Sequence, residues 1–232
     1  MSEQAKRFFR VFFIFAVLLL VICAHNSTVF HSTASLPPDE FLLIDPGHGG
    51  EDGGASSADG TLEKSINLAI ALDLRDVLTV FGIPTQMTRE SDVSIHDANC
   101  TTTRQMKVSD MQNRLKLYEA ASMSVSIHQN HFSVAKYDGA QVFYSTSHPL
   151  SITAATAVRE KILSLVQPNN KRELKQATDS IYLLHKTTKP AILVECGFLS
   201  NPQECEKLQQ ASYRQQMAFA IAAGLLEVYQ SA

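Results

Sequence analysis

The apolar run Phe41-Leu42-Leu43-Ile44 breaks into Asp45-Pro46-Gly47-His48-Gly49-Gly50. Four apolar residues followed by a glycine-rich turn describe a short buried strand that opens into a loop. That loop carries a histidine where a ligand to a metal would sit. Two later runs end in the same way: Ser124-Val125-Ser126-Ile127-His128 and Ala191-Ile192-Leu193-Val194-Glu195. Fifteen residues after His48, Glu63 opens an amphipathic stretch. Four strand or helix ends therefore deliver two histidines and two carboxylates.

Between these points strand-like runs alternate with helical periodicity. The pattern predicts strands at 41–45, 83–88, 123–128, 139–145, 181–184 and 190–195, and helices at 63–81, 104–121, 149–166, 203–210 and 212–229. In the first helix Ile66, Leu68, Ala69, Ile70, Leu72, Leu74, Val77 and Leu78 make a broad apolar face, and Gly82 stands where a helix-terminating glycine is expected. Alternation of this kind means an α/β fold: a single domain whose central, mostly parallel mixed sheet is flanked by helices. Residues 89–110 are polar and aperiodic, which reads as an exposed loop able to border a cleft.

The 232 residues, 45% of them apolar, can bury one substantial core. Ahead of it, Lys6, Arg7 and Arg10 accompany an apolar run from Phe8 to Ala24. This is how an export signal or a retained membrane anchor reads, so residues 1–26 are assigned to one or the other. Residues 27–40 end in Leu36-Pro37-Pro38-Asp39-Glu40 and read as a linker, which leaves 41–232 as the catalytic domain. Action outside the cytoplasm, and a membrane contact through the N-terminal segment, follow from that reading. The formal net charge of −3 offers no electrostatic footprint for nucleic acid. Cys100, Cys196 and Cys205 have no zinc-finger or C-x-x-C spacing; they read as small apolar fillers, with a Cys196 to Cys205 disulfide as the alternative.

In an open α/β sheet, function gathers beyond the carboxyl ends of the strands. Singly, a histidine or glutamate there has an ordinary structural explanation, and Glu63 suits a helix first turn for its charge alone. Jointly they do more. Zinc accepts imidazole nitrogen and carboxylate oxygen, and hydrolytic sites commonly use three protein ligands, leaving a fourth position for water. His48, Glu63 and His128 supply that metal-binding set, and Glu195 remains as the catalytic group that takes a proton from water. Asp45 is open to two readings, an acceptor for a ligand imidazole or loop amides, and a plain turn residue. Arg89 and Arg114 divide between substrate recognition and structural ion pairs, and Asn130 is placed to contact substrate. The loop lacks the Gly-Lys-Ser/Thr of a nucleotide cradle.

The motifs Ile44-Asp45-Pro46-Gly47-His48-Gly49-Gly50-Glu51-Asp52-Gly53-Gly54-Ala55, Gly60-Thr61-Leu62-Glu63-Lys64, Thr88-Arg89, Ser126-Ile127-His128-Gln129-Asn130 and Val194-Glu195-Cys196-Gly197-Phe198-Leu199-Ser200-Asn201 resemble the zinc-dependent N-acetylmuramoyl-L-alanine amidases of the Amidase_3 type. The resemblance implies Zn2+ on the positions matching His48, Glu63 and His128, and a catalytic glutamate at Glu195. It implies peptidoglycan as partner and substrate. Gly139-Ala140-Gln141-Val142-Phe143-Tyr144, the hydrophobic N-terminus and the lack of wall-binding repeats resemble the germination-specific, spore-cortex members, which are implied to strip peptide stems so that muramic-δ-lactam can form. Gln129 and His131 depart from the common pattern. The residues themselves leave two alternatives, a zinc peptidase or deacetylase acting on another wall bond and an inactive peptidoglycan-binding domain.

Overall fold

A strand that is apolar at nearly every position needs cover on both sides, and β1 (Leu42–Pro46) is buried along its whole length in the computed structural model, which describes residues 40–231. Successive side chains leave a strand on opposite faces. Leu42 and Ile44 accordingly enter one cluster with Ile70, Leu74, Val158 and Leu225, while Leu43 enters another with Tyr118, Leu183, Leu184 and Leu193. The first face is covered by α1 (Glu63–Val80), α3 (Leu150–Leu165) and the long last helix α6 (Ala211–Ser231). The second is covered by α2 (Thr103–Ala120) and the short α4 (Tyr182–Lys186).

The sheet has six strands in the order β2-β1-β3-β6-β4-β5, with β2 at Thr85–Met87, β3 at Met123–Asn130, β4 at Gln141–Tyr144, β5 at Lys175–Gln176 and β6 at Ala191–Phe198. Pairing is parallel from β2 through β1 and β3 to β6; β4 runs antiparallel to β6, and β5 lies parallel to β4. The mostly parallel mixed sheet expected from the alternation is the sheet observed. From β1 the chain passes outward to β2 and then returns on the other side of β1 as β3. The loops leaving β1 and β3 therefore diverge, which opens a crevice at that switch point.

Local chemistry sets the helix ends. After α1, Gly82 takes φ +73°, its N–H bonds Thr79 O at 3.0 Å, and Ile83 N–H bonds Leu78 O at 3.1 Å. This is the Schellman arrangement that the glycine foretells. Thr102 and Gln105 form a reciprocal capping box on α2, and Asn201 caps α5 (Pro202–Gln209) from the position before its proline.

The segment 181–184, read as a strand, is helical α4 instead. Ile181-Tyr182-Leu183-Leu184 is too short to show a period, and its buried pair Leu183 and Leu184 packs under α2 as well from a helical turn as from a strand. The sixth strand, β5, is two exposed residues held only by β4, which leaves no hydrophobic signature. Cys196 and Cys205 are free, buried thiols, as apolar fillers are. Among the described residues no helix is long and apolar enough to cross a membrane. The basic and apolar segment within residues 1–26, and nearly all of the linker, lie outside the described residues.

Candidate metal centre

His48 sits two residues beyond β1 with φ +62°, a left-handed conformation rare for a residue with a Cβ. Two buried guanidinium groups hold it there. Arg89 donates to Pro46 O at 3.1 Å, His48 O at 2.7 Å and Gly47 O at 3.0 Å, and Arg114 donates to Pro46 O at 3.1 Å and His48 O at 2.8 Å. The turn's carbonyls thus point inward at fixed positive charge, and the imidazole is turned outward over the crevice. Arg114 takes the structural ion-pair role open to it, with Asp45 and Asp110, while Arg89 holds the turn through hydrogen bonds to backbone carbonyls. Burial and the neighbouring Arg114 lower the pKa of Arg89 to about 10, which still leaves it charged at neutral pH.

Beneath the turn, Asp45 anchors Arg114. Its carboxylate pairs with that guanidinium and accepts from Thr88 Oγ1 (2.8 Å), Tyr118 OH (2.8 Å) and Ser126 Oγ (2.9 Å), and Arg114 also pairs with Asp110 at 2.6 Å. Burial opposes the Asp45 charge, yet Arg114, Tyr118 and Thr88 outweigh it and hold the pKa at about 2. Asp45 is therefore neither a partner of a ligand imidazole nor a turn residue, but the buried counter-ion of the clamp.

Glu63 opens α1 and reaches over the carboxyl ends of the central strands β1 and β3. Oε2 lies 3.2 Å from His48 Nε2 and accepts from Ala55 N at 2.8 Å; Oε1 lies 2.9 Å from His128 Nδ1 and accepts from Asn67 Nδ2 at 3.2 Å and Gln129 N at 3.1 Å. Burial raises its pKa, but bonds from His128 and His48 prevail and hold the carboxyl well below the ordinary range. The close fit leaves no room for substitution: a Cβ at Gly47 would meet the His128 ring, and one at Gly54 would meet His48 Cδ2 at 2.7 Å. On the far side of His48, Nδ1 contacts Asp52 Oδ2 at 3.1 Å. Burial lowers the His48 pKa, but Asp52 and Glu63 more than reverse this and raise it to about 9.

One donor atom from each of His48, Glu63 and His128 lies within 4.8 Å of the others. Donors placed about 2.1 Å from one ion at tetrahedral angles stand about 3.4 Å apart. The spacing and the N, O, N donor set fit such a cation, with the outer nitrogen of His48 oriented by Asp52 as ligand imidazoles usually are. Glu195 is in register with His128 on the adjacent strand. Its Oε2 is shut off from solvent without a hydrogen-bond partner, and burial pushes its pKa up to about 7. An acidic oxygen left unpaired beside a cation site is poised to exchange a proton.

His131 is exposed and outside this cluster, and Asn130 is bound through its carbonyl to Leu199 N at 2.8 Å. Asp52, Asn67 and the backbone of Gln129 escaped the sequence reading. A histidine four residues before an aspartate in a loop carries no geometric meaning until the loop is folded. Part of the polar 89–110 segment does border a cleft, a cavity of about 150 Å³ lined by His48, Asp52, Ser94 and Lys107.

Residues 42–227 match the family model described as N-acetylmuramoyl-L-alanine amidase (Amidase_3). The germination-specific N-acetylmuramoyl-L-alanine amidase of Bacillus subtilis is 35% identical over 204 residues, 84% of this chain and 82% of that protein. The structure of the CwlD amidase from Clostridioides difficile, solved in complex with the GerS lipoprotein, is 39% identical, covers 83% of this chain and 100% of its own, and superposes with a TM-score of 0.79. The amidase AmiC2 of Nostoc punctiforme is 30% identical, covering 83% and 98%, with a TM-score of 0.70. Family model, relatives and fold agree over the same stretch that builds the crevice, and the chain belongs to the Amidase_3 family of N-acetylmuramoyl-L-alanine amidases.

Proposed function

We propose that the chain hydrolyses the amide between N-acetylmuramic acid and L-alanine in peptidoglycan, with Zn2+ held by His48, Glu63 and His128 and with Glu195 as the catalytic acid and base. The observation that carries this reading is the unpartnered Oε2 of Glu195 beside a three-donor cluster. Zinc, when bound there, supplies Lewis-acid polarisation of the amide carbonyl and a lowered pKa for water. Glu195 accepts the proton of the attacking water and passes it to the departing L-alanine nitrogen. Asp52 and the arginine clamp keep the His48 ring aimed into the crevice, and Asn67 and Ala55 N hold Glu63 in place.

The name of the Bacillus subtilis relative supports a germination role, and within that role we infer that stems are removed from spore-cortex strands before muramic-δ-lactam forms. Export or anchoring by residues 1–26, with action at the cell wall or forespore envelope, belongs to the same proposal. The GerS complex of the relative supports looking for an accessory protein here.

Glu195→Gln is expected to retain bound zinc and lose turnover, whereas His48→Ala, Glu63→Ala and His128→Ala lose zinc and turnover together. Zinc stoichiometry and mass spectrometry of digested peptidoglycan read this out. Release of stem peptides beginning with L-alanine supports the amidase, and cleavage inside the stems refutes it. Cortex from a deletion strain should lack muramic-δ-lactam.

A further inference from the structure

Beyond His128 the chain leaves β3 and runs through residues 131–140 before β4 begins. This connection displays apolar side chains instead of hiding them: Phe132, Val134 and Tyr137 are 43%, 47% and 39% exposed. It is also firmly held. Phe132 N–H bonds Ser200 Oγ at 3.1 Å, Asn201 Nδ2 bonds Tyr137 O at 3.2 Å, Arg172 Nε bonds Asp138 O at 2.6 Å, and Gly139 N–H bonds the buried Glu204 at 3.0 Å. Four hydrogen bonds therefore fix a loop whose rings remain open to solvent.

The rings form a built surface. Phe132 meets Tyr137 edge to face at 5.2 Å between centroids, and both rest on Phe198, which is fully buried at the end of β6 at 5.3 and 6.3 Å. The Arg172 guanidinium stacks on Phe198 at 4.4 Å, and Lys136 stands 5.6 Å over Tyr137. Phe198 lies three residues past Glu195, and Phe132 four past His128. Four residues of chain reach at most about 14 Å, so the backbone under the platform lies within that distance of Glu195 and His128.

We infer that the Phe132 and Tyr137 rings form a saccharide subsite on which the glycan strand of the substrate stacks; this rests on the amidase reading above. The scissile amide has a sugar on its acyl side and a peptide on its amine side. A pyranose presents a face of C–H groups that packs on an aromatic face, and its hydroxyls meet the polar rim of Lys136 and Arg172. A protein partner is disfavoured by size: three partly exposed side chains on one loop fall far below the roughly 800 Å² that each side of a stable interface buries.

The test uses the full chain and a peptide-free tetrasaccharide of alternating N-acetylglucosamine and N-acetylmuramic acid. Phe132→Ala and Tyr137→Ala are each expected to weaken its binding about threefold to tenfold, and to raise KM on peptidoglycan strands by a similar factor with the loss absent from kcat. Tyr137→Phe keeps the ring and should restore both. Phe219→Ala, an exposed ring on α6, serves as the surface control and changes neither. Glu195→Gln should bind the tetrasaccharide as the unaltered protein does, so a failed amidase assignment and a failed subsite give different results. Unchanged tetrasaccharide affinity in both alanine variants overturns the inference. Lost affinity for free stem peptide or for a protein partner instead of the saccharide overturns it equally.

Discussion

His48 shows how much a single side chain depends on its neighbours. Its ring is oriented from one side by Asp52 at 3.1 Å and faces Glu63 from the other at 3.2 Å. Outer partners of this kind typically contribute a factor of about 10 to 100 in metal affinity. Asp52→Asn should accordingly bind zinc about 10- to 100-fold more weakly while its thermal midpoint stays within a few degrees, as competitive chelator titration and melting curves would report. Glu195 illustrates the opposite sign. Its carboxyl is raised to about 7 from 4.5 in the metal-free protein, so the folded state holds its proton more tightly than the unfolded chain. Stability from this group is full below about pH 4.5 and is lost as pH rises through 7. Metal-free Glu195→Gln should therefore melt higher than the metal-free parent at pH 8, with the gap closed by pH 4. An equal gap at both pH values would contradict the burial of an unpaired carboxylate.

At the scale of elements, the His48 turn is held by residues from β2's end and from α2. Arg89 follows β2 and donates to five backbone carbonyls, those of Pro46, Gly47, His48, Lys64 and Ser91. A lysine keeps the charge but has no planar fork to reach them together. Arg89→Lys should release the turn and lower zinc affinity at least about tenfold, more than it lowers cooperativity of unfolding, a contrast that zinc titration alongside urea denaturation measures. Arg114 and Asp45 join α2 to β1 through a buried ion pair, and removing one partner of such a pair costs about 3 to 5 kcal/mol. The folded pKa of Asp45, about 2 against 3.8, means that its stabilisation is present above pH 3.8 and disappears as pH falls towards 2. That difference corresponds to about 2 kcal/mol. Asp45→Asn should be less stable at pH 7 and should lack this part of the acid transition, seen as a flatter dependence of the urea midpoint on pH between 4 and 2.

For the molecule as a whole, the placement of the site follows from strand order. His48 follows β1 and His128 lies near the end of β3, neighbours on either side of the point where the winding reverses, and Glu195 on β6 pairs with His128 in register. Buried strands carry His128 and Glu195, the clamped turn beyond β1 carries His48, and the first turn of α1 carries Glu63. Reading apolar runs and periods was enough to find five of the six described helices and most strands, because each buries a face whose spacing is written in consecutive residues. It was enough to single out His48, Glu63, His128 and Glu195, because each stands where such a run stops or, for Glu63, where one starts. The same reading could not see α4, whose apolar stretch spans about one helical turn, or β5, which is held by backbone pairing alone. Nor could it see that Arg114 reaches Asp45 from 69 residues away, that Asn67 braces Glu63, or that Phe132 and Tyr137 rest on Phe198. Local sequence determined the elements and the residues at their ends, since hydrophobic burial and turn chemistry act over a few neighbouring positions. Which ends meet, which charges neutralise one another and which carboxylate is left unpaired were decided only by tertiary structure, because those energies depend on distances that the order of strands sets.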